Sequence, residues 1–559
     1  MDQTSQPQQL LSSDVSRRQF VQGMGVAGLA LLTAGCGGAS SASPAGQPAS
    51  GGSGGGQLAD KQTYIFGVAD RDTISFDPAV VTDGTRHFFA SEVHNALVRY
   101  LPGSIDFTKL EPDLAESWDK STDGLTWTFK LRPGVEFHKG FGPVTAEDVK
   151  FTFDRLKLPG TKSAFGRPNL ESVDVVDART VRFHLKTKDV FFLADVANWN
   201  GGLIVSKKAV EQMGVDAFGM SPVGTGPFQV EEYRPQQQLV FKANPNYWRG
   251  KPILDSIIVR FLGPDQNVRA LALRKREVIG VDTIDNKTIK DSLMTEGYRP
   301  GGRHGTKRAL FMNLTNDQFK DPNLRQALAY GIDRNAAVQA FANDATVGYS
   351  VLSSVYPFSL KKDDIPTDLR YEYDPKKAKD LLAKAGLGSG ATIKWTVPDR
   401  TYNNTALNLQ EQLRQIGVTL DLQIIDWNQW LSVTRGNPNM VIWGGIEPTV
   451  DNELRSYFYS TASLGKPTAV RNWSHYGDVG GSIDKLLDEA RVTEDRSKQE
   501  QIYRDVQLQI LKDLPAFNLL EQQAMDHMRA PEVDLGYEFV NSLMTPVMLT
   551  EKTRILKRS

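Results

Sequence analysis

The chain has 559 residues, 40% of them hydrophobic and 23% charged, with 65 Lys and Arg against 66 Asp and Glu. A formal net charge of −1 gives no electrostatic footprint for nucleic acid or an anionic membrane surface. After residue 57 about 500 residues remain, too many for one core and enough for two or three lobes.

The first element is "SRRQFVQGMGVAGLALLTAGCGG" (16–38), which holds the single cysteine, Cys36. Its apolar run from Val21 to Gly35 is about 15 residues, short of the roughly 20 that span a bilayer. Two arginines, an apolar stretch and small residues before a cut site make an export signal. Ser16-Arg17-Arg18-Gln19-Phe20-Val21 resembles the twin-arginine signal, which addresses proteins exported already folded. Thr33-Ala34-Gly35-Cys36 resembles a bacterial lipobox with Thr33 in the usual leucine place, so Cys36 is the expected lipid attachment point. Residues 37–56 are Gly, Ser, Ala or Pro except Gln47, a composition that cannot fold. Residues 37–58 therefore read as a flexible tether, reaching roughly 25 Å from a membrane. With one cysteine, no internal disulfide staples the exported body.

Along that body "YIFGV" (64–68) reads as the first strand and "DRDTISFDP" (70–78) as the loop after it. Asp123-Gly124 is a turn, and Leu125 to Leu131 alternates apolar and polar until Arg132-Pro133-Gly134 stops it. Val181 to Leu185 alternates likewise. Asp321-Pro322 opens a helix with Leu324, Ala327, Leu328 and Ile332 facing inward. Asp374 caps another, with Pro375 at its first position, Ala378, Leu381, Leu382 and Ala385 on one face, and Gly386 after its end. Ile483, Leu486, Leu487 and Ala490 mark a third. Strands interspersed with helices over this length predict mixed α/β lobes. No later segment approaches 18 uninterrupted apolar residues, so nothing else is expected to cross a membrane.

The segment "LEPDLAESWDKSTDGLTWTFKLRPGVEFHKGFGPVTAEDVKFTF" (110–153) resembles the signature of the family 5 extracytoplasmic solute-binding proteins. These are the dipeptide, oligopeptide and nickel binders of ABC importers. "GTGPFQVEEY" (224–233), "NPNYWRGKPILDSIIVRF" (244–261), "LRQALAYGIDR" (324–334), "YDPKKAKDLLAKAGL" (373–387) and "IDKLLDEARVTEDRSKQEQIYRDVQLQI" (483–510) follow in the family's order. The resemblance covers roughly residues 62–535. It implies a two-lobed α/β binding-protein fold (class II) with an inserted subdomain and a hinge. The implied parts are 1–36 signal, 37–58 tether, 59–97 and 221–308 first lobe, 98–220 insert, 309–518 second lobe, and 519–559 return to the first lobe. The crossings should lie near 308–313 and 514–519. The expected protein is a monomeric, extracytoplasmic, lipid-anchored receptor that needs no cofactor. It passes a peptide or other small solute to ABC permease and ATPase subunits.

The resemblance also nominates ligand contacts. Relatives grip a ligand carboxylate with an arginine, followed two residues later by a tyrosine, which here are Arg400 and Tyr402; a guanidinium binds a carboxylate through two parallel hydrogen bonds. Trp443 matches a cleft tryptophan. Three residues after it, dipeptide binders place an aspartate for the peptide ammonium, where this chain has Ile446 and then Glu447. Neighbours on a strand point to opposite faces, so Glu447 replaces that acid only if the backbone is irregular there. Asp451 is a further candidate. The first lobe should contribute Thr73 and Ile74, and the insert Trp199. Because the aspartate is missing, N-blocked peptides, opines or sugars compete as ligands.

Other chemistries find little in the sequence. The seven histidines include no H-x-x-x-H pair and no cysteine partner, so no metal is expected. Gly51-Gly52-Ser53-Gly54-Gly55 matches G-x-S-x-G but lies in the tether, without a strand before it or a helix after it. A hydrolase and a ligand sensor or chaperone remain the alternatives to a transport receptor.

Overall fold

The computed structural model describes residues 56–558 except 71, 74, 81–83, 105–108, 159–168, 198–201, 283, 285, 302–305, 341–344, 400–401, 445–446, 448, 467–470, 523–526 and 538–548. Its architecture is α/β and rests on three main sheets. The largest has seven strands in the order Phe228–Arg234, Gln238–Ala243, Ser256–Phe261, Thr63–Val68, Gly280–Val281, His527–Arg529 and Arg299–Gly301. Thr63–Val68 runs parallel to both its neighbours, with Phe66 opposite Val259 on one side and Gly280 on the other. Gly280 is required there, because a Cβ would come within 2.1 Å of the Tyr64 hydroxyl oxygen.

The second sheet is antiparallel and lies within residues 115–185, in the order Ala115–Lys120, Thr126–Leu131, Thr180–Leu185 and Leu170–Asp177. Period-two alternation makes it one-sided. Trp127, Phe129, Val181 and Phe183 are buried while Lys130 faces water. Helix Ala146–Arg155 covers the buried face, and the Phe153 and Phe183 rings meet edge-on at 4.8 Å. The helix joins this unit to the first sheet's loops, since Arg155 grips the fully buried Asp77 carboxylate at 2.6 and 3.3 Å.

The third sheet orders Ala345–Val347, Ala516–Gln522, Thr306–Met312 and Met440–Trp443, all antiparallel. Nearby, strands Ala391–Pro398 and Val418–Ile425 pair in parallel. Helices pack where their caps and apolar faces direct them. Asp321 accepts from the Asn323 amide at 2.8 Å and opens Pro322–Gly331, whose Leu324, Ala327 and Leu328 are buried. Asp374 accepts from Lys377 at 2.9 Å and opens Pro375–Lys384, and Gly386 beyond its end takes φ +73°. The chain leaves the seven-stranded sheet at Gly301 and enters the third sheet at Thr306; it leaves that sheet at Gln522 and rejoins the first at His527. Among the described residues, no helix is long and apolar enough to cross a membrane.

Candidate functional site

Strand Met440–Trp443 pairs with Thr306–Met312, so Trp443 emerges opposite Ala309, close to where the chain enters the third sheet. The strand ends at Trp443, and Glu447 therefore lies outside it and escapes the strict alternation of a strand. Trp443 is half-buried in an aromatic group. Its ring lies 5.9 Å from Trp430 and 6.3 Å from Trp427, both nearly parallel, and 5.4 Å from the tilted Trp473. The Arg471 guanidinium sits 5.4 Å over the Trp443 ring. Gly444 lets the chain after Trp443 pass close to the neighbouring strand, since a Cβ there would come within 2.5 Å of the Lys307 carbonyl and 2.7 Å of Arg308 Nη1.

Behind the indoles lies a buried ionic group. Glu447 Oε1 pairs with Arg471 Nη1. The Glu447 amide donates to Glu453 Oε2 at 2.9 Å, and its carbonyl accepts from the Tyr356 hydroxyl at 2.6 Å. Glu453 Oε1 lies 2.5 Å from Lys307 Nζ, which also donates to the Val351 carbonyl at 2.8 Å and lies 4.9 Å from the Tyr457 ring centroid. Burial pushes the Glu447 carboxyl above its ordinary value; Arg471 pulls it down, and Glu453 adds to the rise. Burial opposes the Arg471 cation, but Glu447, Tyr457 and Glu453 together outweigh it and hold the guanidinium protonated. Asp451 is also fully buried, and its Oδ2 meets Arg455 Nε at 2.9 Å and Arg491 Nη1 at 3.2 Å.

In the loop after strand Thr63–Val68, Asp72 and Thr73 are held from several sides. Thr73 is buried, its amide donating to Asp72 Oδ1 at 2.8 Å and its hydroxyl reaching the Ser75 carbonyl at 3.5 Å. The Tyr233 hydroxyl donates to Asp72 and reaches the Thr73 carbonyl at 3.3 Å. Tyr402 opens helix Tyr402–Arg414, following strand Ala391–Pro398. Arg400, Ile74, Trp199 and Cys36 lie outside the described residues. The structure thus brings Trp443 and Glu447 together and adds Arg471, Glu453, Lys307 and Tyr356. Local sequence carried no signal for these four, because they come from four separate segments. Among the described residues, no group of three or more His, Cys, Asp and Glu is placed to hold a metal.

Two sheet-centred bodies exchange the chain twice, with an aromatic and ionic site beside one exchange; this is the architecture of a two-lobed solute-binding protein. Residues 109–465 match the model for bacterial extracellular solute-binding proteins, family 5 Middle, and the chain belongs to that family. The dipeptide-binding protein of Escherichia coli K12 is 30% identical over 490 residues, covering 81% of this chain and 88% of that one. A binding protein from A. tumefaciens R10 in complex with mannopinic acid superposes with TM-score 0.81 at 31% identity, covering 89% of this chain and 100% of that one. The periplasmic binding protein DppA from Helicobacter pylori, in complex with the peptide STSA, gives TM-score 0.78 at 26% identity, covering 89% and 98%.

Proposed function

We propose that this chain is an extracytoplasmic receptor that captures peptides or peptide-like solutes between its lobes and delivers them to an ABC permease, with no chemistry of its own. The observation that carries the reading is the placement of Trp443, Glu447 and Arg471 against Lys307, the second residue of the strand by which the chain enters the second lobe. A solute touching this site and the 70–78 loop would bias the lobes toward closure, because it binds the closed arrangement better than the open one. The hinge would lie where the chain passes between the seven-stranded sheet and the third sheet. The names of the similar dipeptide-binding proteins support a peptide ligand. On this reading Arg400 and Tyr402 take a ligand carboxylate, and Thr73, Ile74 and Trp199 close over it. Cys36, acylated, would keep a monomeric receptor beside its permease, where tethering raises effective concentration.

One observation favours a second ligand class. Glu447, Glu453 and Asp451 each already hold a cation: Arg471, Lys307, and the Arg455–Arg491 pair. A ligand ammonium would have to compete with these buried partners. A sugar acid or an N-blocked peptide would not, and the similarity to the mannopinic acid complex supports a ligand other than an ordinary peptide. The deciding experiment is native mass spectrometry of the protein purified from cells without added ligand, followed by denaturing release and identification of what it held. A ladder of short peptides confirms the first reading, and a single anionic sugar derivative the second. A bound cofactor or covalently altered product would overturn both. With the released compound as titrant, Trp443→Ala should weaken binding by about tenfold or more and abolish the tryptophan fluorescence change on binding.

A further inference from the structure

Outside the site, Arg491 on helix Asp484–Val492 of the second lobe joins several acidic side chains at once. All three of its guanidinium nitrogens are engaged, each on a different aspartate. Nε meets Asp189 Oδ2 at 2.8 Å, Nη2 meets Asp195 Oδ2 at 2.7 Å, and Nη1 meets Asp451 Oδ2 at 3.2 Å. Asp451 belongs to the second lobe. Asp189 and Asp195 belong to the segment that follows the antiparallel sheet of residues 115–185. That sheet is fastened to the first lobe, through Arg155 on Asp77 and the backbone bonds from Asp113 to Leu97 and from His138 to Gly224.

Further contacts follow the same seam. The Val190 amide donates to the Arg491 carbonyl at 3.0 Å, and Asn452 Nδ2 donates to Asp195 Oδ1 at 2.9 Å. Phe191, 2% exposed, is packed among second-lobe residues including Ile483, Leu487 and Ala490, while its neighbour Phe192 faces the insert's own core beside Phe129 and Phe183. At the rim, Lys120 and Lys188 both reach Glu494, at 2.9 and 3.0 Å. One short segment is thus shared by two cores, with an arginine fork bolting it to the second.

We propose that Arg491, with Asp189, Asp195 and the Phe191 plug, is a latch between the inserted sheet and the second lobe that sets how much of the receptor is closed before any solute arrives. This rests on the hinge reading above: opening about the two chain crossings draws the insert from helix Asp484–Val492 and strips the latch. Exposing Phe191 costs apolar burial, and parting a guanidinium from buried carboxylates costs more than parting an exposed pair. The latch also bears on the ligand site. Asp451 and Asn452 stand in the first turn of helix Val450–Phe458, just after the Glu447 loop. If only the closed fraction binds tightly, apparent affinity scales with that fraction. Arg491 is then a positioning residue that tunes affinity for every ligand alike.

The test is hydrogen exchange on the ligand-free, full-length chain, so its result stands whatever the ligand proves to be. Arg491→Met should raise the exchange rate of the Val190 amide and of residues 191–196 by at least about tenfold, while strand Thr126–Leu131 keeps its protection. Asp189→Asn, which keeps shape and some hydrogen bonding, should give a smaller rise in the same segment and is read alone if Arg491→Met does not fold. Once the solute is known, both variants should weaken binding of the solute and of its analogues by one common factor. Unchanged exchange at Val190 would overturn the latch. So would loss of protection throughout the insert sheet, which would make Arg491 a folding residue, or a loss of affinity that differs from ligand to ligand.

Discussion

Removing the Arg471 guanidinium would leave the Glu447 carboxylate buried beside Glu453, with Lys307 as the nearest remaining cation. Breaking one side of a buried pair typically costs about 3–5 kcal/mol, so Arg471→Met should lower the denaturant midpoint strongly. The pH dependence follows from the direction of the Glu447 shift. A carboxyl raised above 4.5 binds more protons folded than unfolded, so its contribution falls as pH rises from about 4.5 through the folded value. Arg471 limits that rise in the native protein. The deficit of Arg471→Met should therefore be larger at pH 7 than at pH 4.5, as unfolding at both values would reveal. Glu447 also shows where sequence reasoning stopped. Its position after Trp443 marked it as a candidate acid, and in the structure it pairs with the Arg471 that lies over that indole. That its charge is already held by Arg471, 24 residues further on, is a fact of loop packing with no local trace.

At the scale of elements, the signals that succeeded were short-range. The alternation at 125–131 and 181–185 became strands Thr126–Leu131 and Thr180–Leu185, and the Asp-Pro openings became capped helices. Each of those patterns is set by residues two to four apart. What stayed hidden is pairing between distant segments, such as His527–Arg529 entering the sheet between Gly280–Val281 and Arg299–Gly301. Two buried histidines at the seam between elements give a pH prediction. His94 Nδ1 lies 3.2 Å from the Ile204 carbonyl and His138 Nε2 lies 3.0 Å from that of Gly226. Burial first, and for His94 the neighbouring His138, lowers their pKa values from 6.5 to about 3 and about 4. The unfolded chain binds these protons first, so stability is complete above pH 6.5 and is lost as pH falls toward the folded values. Each histidine contributes at most about 1.4 kcal/mol per pH unit. Urea midpoints between pH 6.5 and 5 should fall accordingly, and a His94→Gln, His138→Gln double variant should lose most of that slope.

The first and last stretches of the described residues are tied to each other. Gln62 Nε2 donates to the Ala59 and Ile555 carbonyls, both at 2.8 Å, and Gln62 Oε1 accepts the Ile555 amide at 2.9 Å. Leu58 bridges Leu556, and the Lys557 amide reaches the Gln57 carbonyl at 2.7 Å. Gln62→Ala would leave buried backbone groups unpaired and should cost about 1–3 kcal/mol, seen as a lower denaturant midpoint with no change in ligand affinity. Bound solute should act in the opposite direction. At 100 times its dissociation constant it would add about 2.7 kcal/mol to the stability of the state that binds it, read as a raised melting temperature.

The interior strand His527–Arg529 has a consequence for how the protein is made. It is synthesised some 460 residues after Thr63–Val68 and yet separates two strands that precede it on the ribosome. Until it emerges, Gly280–Val281 and Arg299–Gly301 have no neighbour to join them, while the second lobe already holds nearly all of its own chain. The sheet that begins first is thus completed last, after every strand of the third sheet has been made. A chain cut short before residue 527 would carry a nearly complete second lobe beside an open-edged first one, which is a form that proteases and folding surveillance readily distinguish from the finished protein.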